Sequence, residues 1–146
     1  MIGEALAALH GSGLAQFARG SSWFYPAMAS IHLLGAATLF GALAVLDLRL
    51  MGFAPALPRA ALEPVAVRLA LGGACACAVS GAPMFAAGAI GLAANPLFQL
   101  KFAALAAAAL NALAHHAHGA APARHGAISL ACWTIVLVAG VVSAYV

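Results

Sequence analysis

"LALGGACACAVSGAPMFAAGAIGLAA", residues 69–94, contains no charged side chain and one hydroxyl, Ser80. About 20 consecutive apolar residues suffice for a helix to cross the ~30 Å hydrocarbon core of a bilayer. The stretch is built mostly of alanine and glycine rather than leucine. Small side chains let helix backbones approach closely, and that contact drives association where lipid is as apolar as the helix. The segment therefore reads as a membrane span packed tightly against others. Pro83 in its middle is expected to kink it and to free the carbonyl near Val79, with Ser80 or a water satisfying that group.

Three further stretches fit the same description, at about 23–46, 97–114 and 126–146. Pro26, Pro64 and Pro96 suit the first turn of a helix, where a missing N–H costs nothing, and Asn95-Pro96 makes a tight turn after the second span. The expected fold is all-α: an integral membrane four-helix bundle formed by one transmembrane domain over residues 1–146. Residues 1–20, broken by Gly11 and Gly13, read as a short N-terminal interfacial helix lying along the membrane surface.

Composition agrees. Of the 146 residues, 66% are hydrophobic and 6% charged, against about 25% charged in a soluble domain. Mean hydropathy is +1.07. No basic-led, cleavable apolar segment opens the sequence, so a signal peptide is not expected. The net charge of +3 includes no basic run suited to nucleic acid. Cys75, Cys77 and Cys132 lie in apolar segments and read as small core residues; two residues apart on a helix, Cys75 and Cys77 form no CxxC site. Arg49, Arg59, Arg68 and Arg124 fall at one end of the bundle, against Arg19 and Lys101 at the other. The positive-inside rule then places both termini outward, in a bacterial inner (cytoplasmic) membrane, with Trp23, Phe24 and Tyr25 as an aromatic belt.

Polar groups inside a span are costly and so mark candidate sites. The first and third spans run in the same direction, and each starts at a proline, so depth can be counted from it. His32 is six residues past Pro26 and Lys101 five past Pro96, which puts both roughly 8–9 Å below the outer boundary. A neutral imidazole there can ligate iron, copper or zinc, or hydrogen-bond a quinone. Lys101 can instead snorkel to the surface. His10, folding back from the surface segment, and Met84 on the second span are further candidate ligands, and Gly35 beside His32 offers room for a flat macrocycle or merely close packing.

The same count brings Asp47 and His115 to the inner boundary, with Arg49, Arg68, His116 and His118 nearby and Asn111 one turn above His115. An Asp–His pair among arginines could bind an anion, relay protons or hold a metal. Within "HHAHGAAPARH", residues 115–125, His115 and His118 share a face, and with His116 or His125 the spacing suits a transition metal. His32 and His115 differ in depth by about 13 residues, roughly 20 Å, so one haem cannot join them.

"SSWFYP", His32 with Gly35, "DLRLMG" at 47–52, "NPLFQLK" at 95–101 and "LNALAHH" at 110–116 together resemble an uncharacterised family of small bacterial four-helix membrane proteins, a domain of unknown function. That resemblance implies four spans and no particular activity. More loosely, the layout is similar to membrane cytochromes b and to CopD-type copper-resistance membrane proteins.

The leading expectation is a cofactor-binding protein: a b-type haem near the outer leaflet on His32, in an electron-transfer or quinone-linked subunit beside other membrane subunits. A copper-handling protein using His10, His32, Met28 and Met84 is the first alternative. A cofactor-free accessory subunit, its histidines only packing the bundle, is the second. The sequence speaks against three other classes. The spans lack the carboxylates of a proton-driven pump, a nucleophile–base pair at one depth for a hydrolase, and the polar stripe of a channel.

Overall fold

The computed structural model describes residues 1–118 and 122–145, and every regular element among them is an α-helix. Two short helices, α1 (Ile2–His10) and α2 (Gly13–Gly20), precede α3 (Phe24–Leu50) and α4 (Arg59–Ala87). The short α5 (Ala89–Ala94) leads into α6 (Pro96–His118) and α7 (Pro122–Val142). Four of these, α3, α4, α6 and α7, are long and apolar enough to cross a membrane. The protein is an all-α, multi-pass membrane protein whose outer surface faces lipid: Leu33, Leu34, Leu71, Val79, Leu110 and Leu113 are all largely exposed.

Local sequence sets the ends. The Ser12 hydroxyl accepts the Ala15 N–H at 3.3 Å and starts α2, so the surface segment is two helices rather than one. Asn95 Oδ1 accepts the N–H groups of Leu97 and Phe98 at 2.9 and 3.4 Å, capping α6 with Pro96 as its first residue. Gly52, at φ +99°, supplies the left-handed turn that ends α3.

The second span departs most from its expected bounds. It starts at Arg59, ten residues earlier than residue 69, and Pro64 lies inside it rather than at its first turn. An Arg59–Glu63 ion pair at 3.0 Å, one turn apart, braces the added turns. At the other end Gly88 breaks the helix, and residues 89–94 form α5, which packs on α1 and α6. Arg19 closes this junction by donating to the carbonyl of Ala87, the last residue of α4, at 3.0 Å. That carbonyl would otherwise be an unsatisfied helix end.

The tightest packing joins α3 to α4. A Cβ on Gly35 would lie 2.9 Å from the Gly73 carbonyl oxygen, and one on Gly73 would lie 2.7 Å from the Leu39 nitrogen. The two backbones touch there, which only glycine allows. Gly126 of α7 meets α3 in the same way, 2.7 Å from the Asp47 carbonyl oxygen when given a Cβ. Around the bundle α4 packs on α3, α3 on α7 and α7 on α6. The remaining side is different: no Cα of α4 lies within 8 Å of one in α6 among the described residues. Side chains alone bridge that seam, through Phe85 stacked on Phe98 at 5.5 Å and Arg59 bonded to His115 at 3.0 Å.

Candidate functional site

His32 sits on α3, one turn before Gly35, and the glycine crossing sets its surroundings. Because α3 and α4 touch at Gly35 and Gly73, the next turns of α4 lie directly against the His32 ring. A Cβ on Gly81 would fall 3.1 Å from its Cε1 and 3.3 Å from its Nδ1, so this edge of the imidazole packs on α4 where no side chain intervenes. Its Nδ1 lies 3.2 Å from Ser80 Oγ. Ser80 has no solvent exposure, and its Oγ lies 2.6 Å from the Ala76 carbonyl oxygen. A hydroxyl has one proton. That proton goes to Ala76, so Ser80 accepts from His32, and Nδ1 carries the hydrogen. The lone pair is then on Nε2, and the ring also makes a hydrogen-bonding approach to the Cys77 backbone. One ring nitrogen fixed by a neighbour and the other presented is the arrangement that prepares an imidazole to ligate.

Ser80 therefore does not serve the carbonyl near Val79, as the sequence suggested; its hydrogen bonds run to Ala76 and His32. Gly35 likewise holds no room for a macrocycle, because the Gly73 backbone fills it. Cys77 packs beside the site, its thiol donating to the His32 carbonyl at 3.5 Å. Cys75 faces outward rather than into the core, and all three cysteines are free.

Lys101 reaches the site from α6, which does not pack on α3. It does so across Gly140 of α7: a Cβ there would touch its Cδ, Cε and Nζ at 3.5–3.6 Å. The ammonium stands 5.9 Å from the centre of the Phe98 ring. Met84, four residues beyond Ser80, is half-buried on α4. His10 is held away from His32. Its ring nitrogen lies 3.3 Å from Arg19 and its carbonyl accepts from Arg19 at 2.9 Å, at the level of Ala87. That is about 10 Å along α4 from Ser80.

The end of the bundle that holds the α3–α4 loop assembles a different set. Asp47 is 3% exposed at the α3–α7 contact. Ser129 of α7 is within reach of its carboxylate, and its Oδ2 has no hydrogen-bond partner among the described residues. It does not pair with His115, although both lie at this end. Helix α7 stands between α3 and α6, so equal depth does not bring them together. His115 faces α4 instead, where its Nε2 accepts from Arg59 at 3.0 Å.

His125 was only a supplementary candidate, yet it is buried at the centre of this end. Its Nδ1 lies 2.8 Å from Asn111 Oδ1, while Asn111 Nδ2 donates to the His125 carbonyl at 2.9 Å. The His115 and His125 ring centres are 5.2 Å apart. His116 turns back to the Ala112 carbonyl at 3.1 Å, and the His118 side chain lies outside the described residues. Arg49 donates to the Leu57 and Pro55 carbonyls and ties down the α3–α4 loop. Arg68 is exposed on α4. Among the described residues no three His, Cys, Asp or Glu side chains converge as a metal site.

Ser80, Arg59 and Gly140 carry much of this geometry, and the sequence signalled only the first, as the one hydroxyl in residues 69–94. No family model, curated protein or solved structure matches the chain.

Proposed function

We propose that the protein is a membrane subunit that binds a redox cofactor, a b-type haem, through Nε2 of His32. The observation that carries this reading is the Ala76–Ser80–His32 relay, which leaves one imidazole lone pair available in an apolar setting. The α4–α6 side of the bundle, held by side chains alone, is where a flat macrocycle would enter with least disturbance of backbone packing. Lys101 would supply a cation for a haem carboxylate, and Met84, four residues beyond Ser80 on α4, would be the candidate second ligand within the chain. When bound, the group would supply one-electron chemistry. The chain's own part is to orient the imidazole through Ser80, to exclude water and to hold an ammonium beside the acidic edge. The looser likeness to membrane cytochromes b points the same way.

Copper handling, the alternative chemistry, is less well served. Lys101 beside His32 opposes a bare cation, whereas a porphyrin dianion offsets the charge of its iron. His10, needed for a copper set, is engaged by Arg19. The cofactor-free reading has one observation in its favour: the His32 ring lies in close contact with α4 at Gly81, as a packing histidine would.

The test is the absorption spectrum of the detergent-solubilised protein, oxidised and then reduced, with iron quantified per chain. A Soret band that shifts on reduction supports the haem reading. Protein without Soret absorbance, iron or copper establishes the packing reading.

A further inference from the structure

Two hollows lie along α4, the lower lined by α4 alone and the upper by α4 and α3, and they share one residue, Arg68. The lower, about 460 Å³, is lined by Glu63, Pro64 and Val67 as well as Arg68. The upper, about 320 Å³, is lined by Gly72, Gly73 and Ala76 together with Leu34 and Leu69. We propose that these two hollows, adjoining at Arg68, bind one anionic phospholipid, its phosphate on Arg68 and one acyl chain along Gly72 and Gly73.

Depth supports the assignment. Helix α4 has 29 residues, about 44 Å at ~1.5 Å per residue, against ~30 Å of hydrocarbon. Counting that thickness back from Ala87 takes about 20 residues and reaches Arg68. The upper hollow then lies in the hydrocarbon, and the lower one lies at headgroup level.

Charge selects the lipid. Arg19, Arg49 and Arg59 are each engaged by protein groups, whereas Arg68 makes no hydrogen bond or ion pair among the described residues. A guanidinium matches phosphate oxygens in a two-bond fork. The carboxylate of Glu63 is already paired with Arg59, so it does not oppose an anion there. A second copy of the chain is a poorer occupant. In a membrane, a two-fold dimer through this face would bring two Arg68 side chains to the same depth against each other.

The groove can be blocked without disturbing the bundle. A Cβ on Gly72 meets nothing within 4 Å, unlike one on Gly73, so Gly72→Leu places its side chain in the hollow. The experiment places wild type, Arg68→Gln and Gly72→Leu in bilayers of equal phosphatidylglycerol and phosphatidylcholine, extracts them, and counts retained lipid by native mass spectrometry. Thermal melts by circular dichroism confirm that all three are folded.

Wild type is expected to retain phosphatidylglycerol about fivefold over phosphatidylcholine, the worth of one interfacial cation. Arg68→Gln should abolish that preference, and Gly72→Leu should lower retention of both lipids. Equal retention of the two lipids by wild type overturns the proposal, as does an unchanged preference in both variants. So does a wild-type dimer that Gly72→Leu dissociates without loss of lipid, which would make the groove a self-association surface. Neither variant touches His32, so the absorption spectrum stays as in wild type whichever way this test falls.

Discussion

The two ends of the bundle use histidine in opposite ways. Towards the α4–α5 junction a single ring, His32, is anchored at Nδ1 by a buried serine, and no residue is seen bonded to Nε2 among the described residues. At the end that holds the α3–α4 loop, His115 and His125 are drawn into links between helices, Arg59 to His115 across α4–α6 and His125 to Asn111 across α6–α7. A guanidinium occupies the lone pair of His115 and would oppose a metal cation beside His125. The comparison teaches that abundance of histidine is a poor guide to ligation. What counts is which nitrogen the protein has already used and what charge stands beside the other.

That contrast can be broken outright by exchanging the ends. His32→Ala is expected to remove all cofactor absorbance, while His115→Ala and His125→Ala keep the Soret band; loss of the band in either of these two and its survival in His32→Ala would reverse the assignment. Next in size is Asn111→Leu, which strands the His125 carbonyl and ring N–H in a buried setting. Leaving two buried groups unsatisfied costs about 2 kcal/mol, read as a lowered melting temperature with an unchanged spectrum. Ser80→Ala should weaken cofactor affinity about tenfold, since a lost orienting partner typically costs 10–100-fold; titration of the stripped protein with haem measures this. The smallest effect belongs to Arg59→Gln. Its ion pair is partly exposed, so about 1 kcal/mol or less of stability is expected, seen in thermal melts and without spectral change.

Sequence reading reached the fold because hydrophobic length is a strong signal: all four spans were legible from runs such as residues 69–94. Where it went wrong, local chemistry decided the matter. Arg59 starts α4 ten residues early because an Arg–Glu pair one turn apart supports helix in a stretch too polar for a hydropathy window. Gly88 ends the same helix early because a glycine in an unbroken apolar run carries no boundary signal.

For the site, counting depth from prolines puts His32 and Lys101 in the same half and separates both from His115. The same count joined Asp47 to His115, and that failed. Depth gives one coordinate of a helix bundle, and the order of helices around the ring is another. With α7 inserted between α3 and α6, Asp47 does not meet His115, whereas Lys101 lies against α7 at Gly140. The role of Ser80 was half visible. A lone hydroxyl among small residues invites a bonding partner, but which of the neighbouring carbonyls it serves depends on where the His32 ring lands.

The most direct measurement is the ring-nitrogen ¹⁵N chemical shifts of His32 in histidine-labelled protein held in bilayers, assigned by comparison with His32→Ala. The account predicts a protonated Nδ1 and an unprotonated Nε2 in the cofactor-free protein, with the Nε2 signal displaced when haem is added. A hydrogen on Nε2 and a bare Nδ1 accepting from Ser80 would contradict it, because the ring would then have no lone pair to offer.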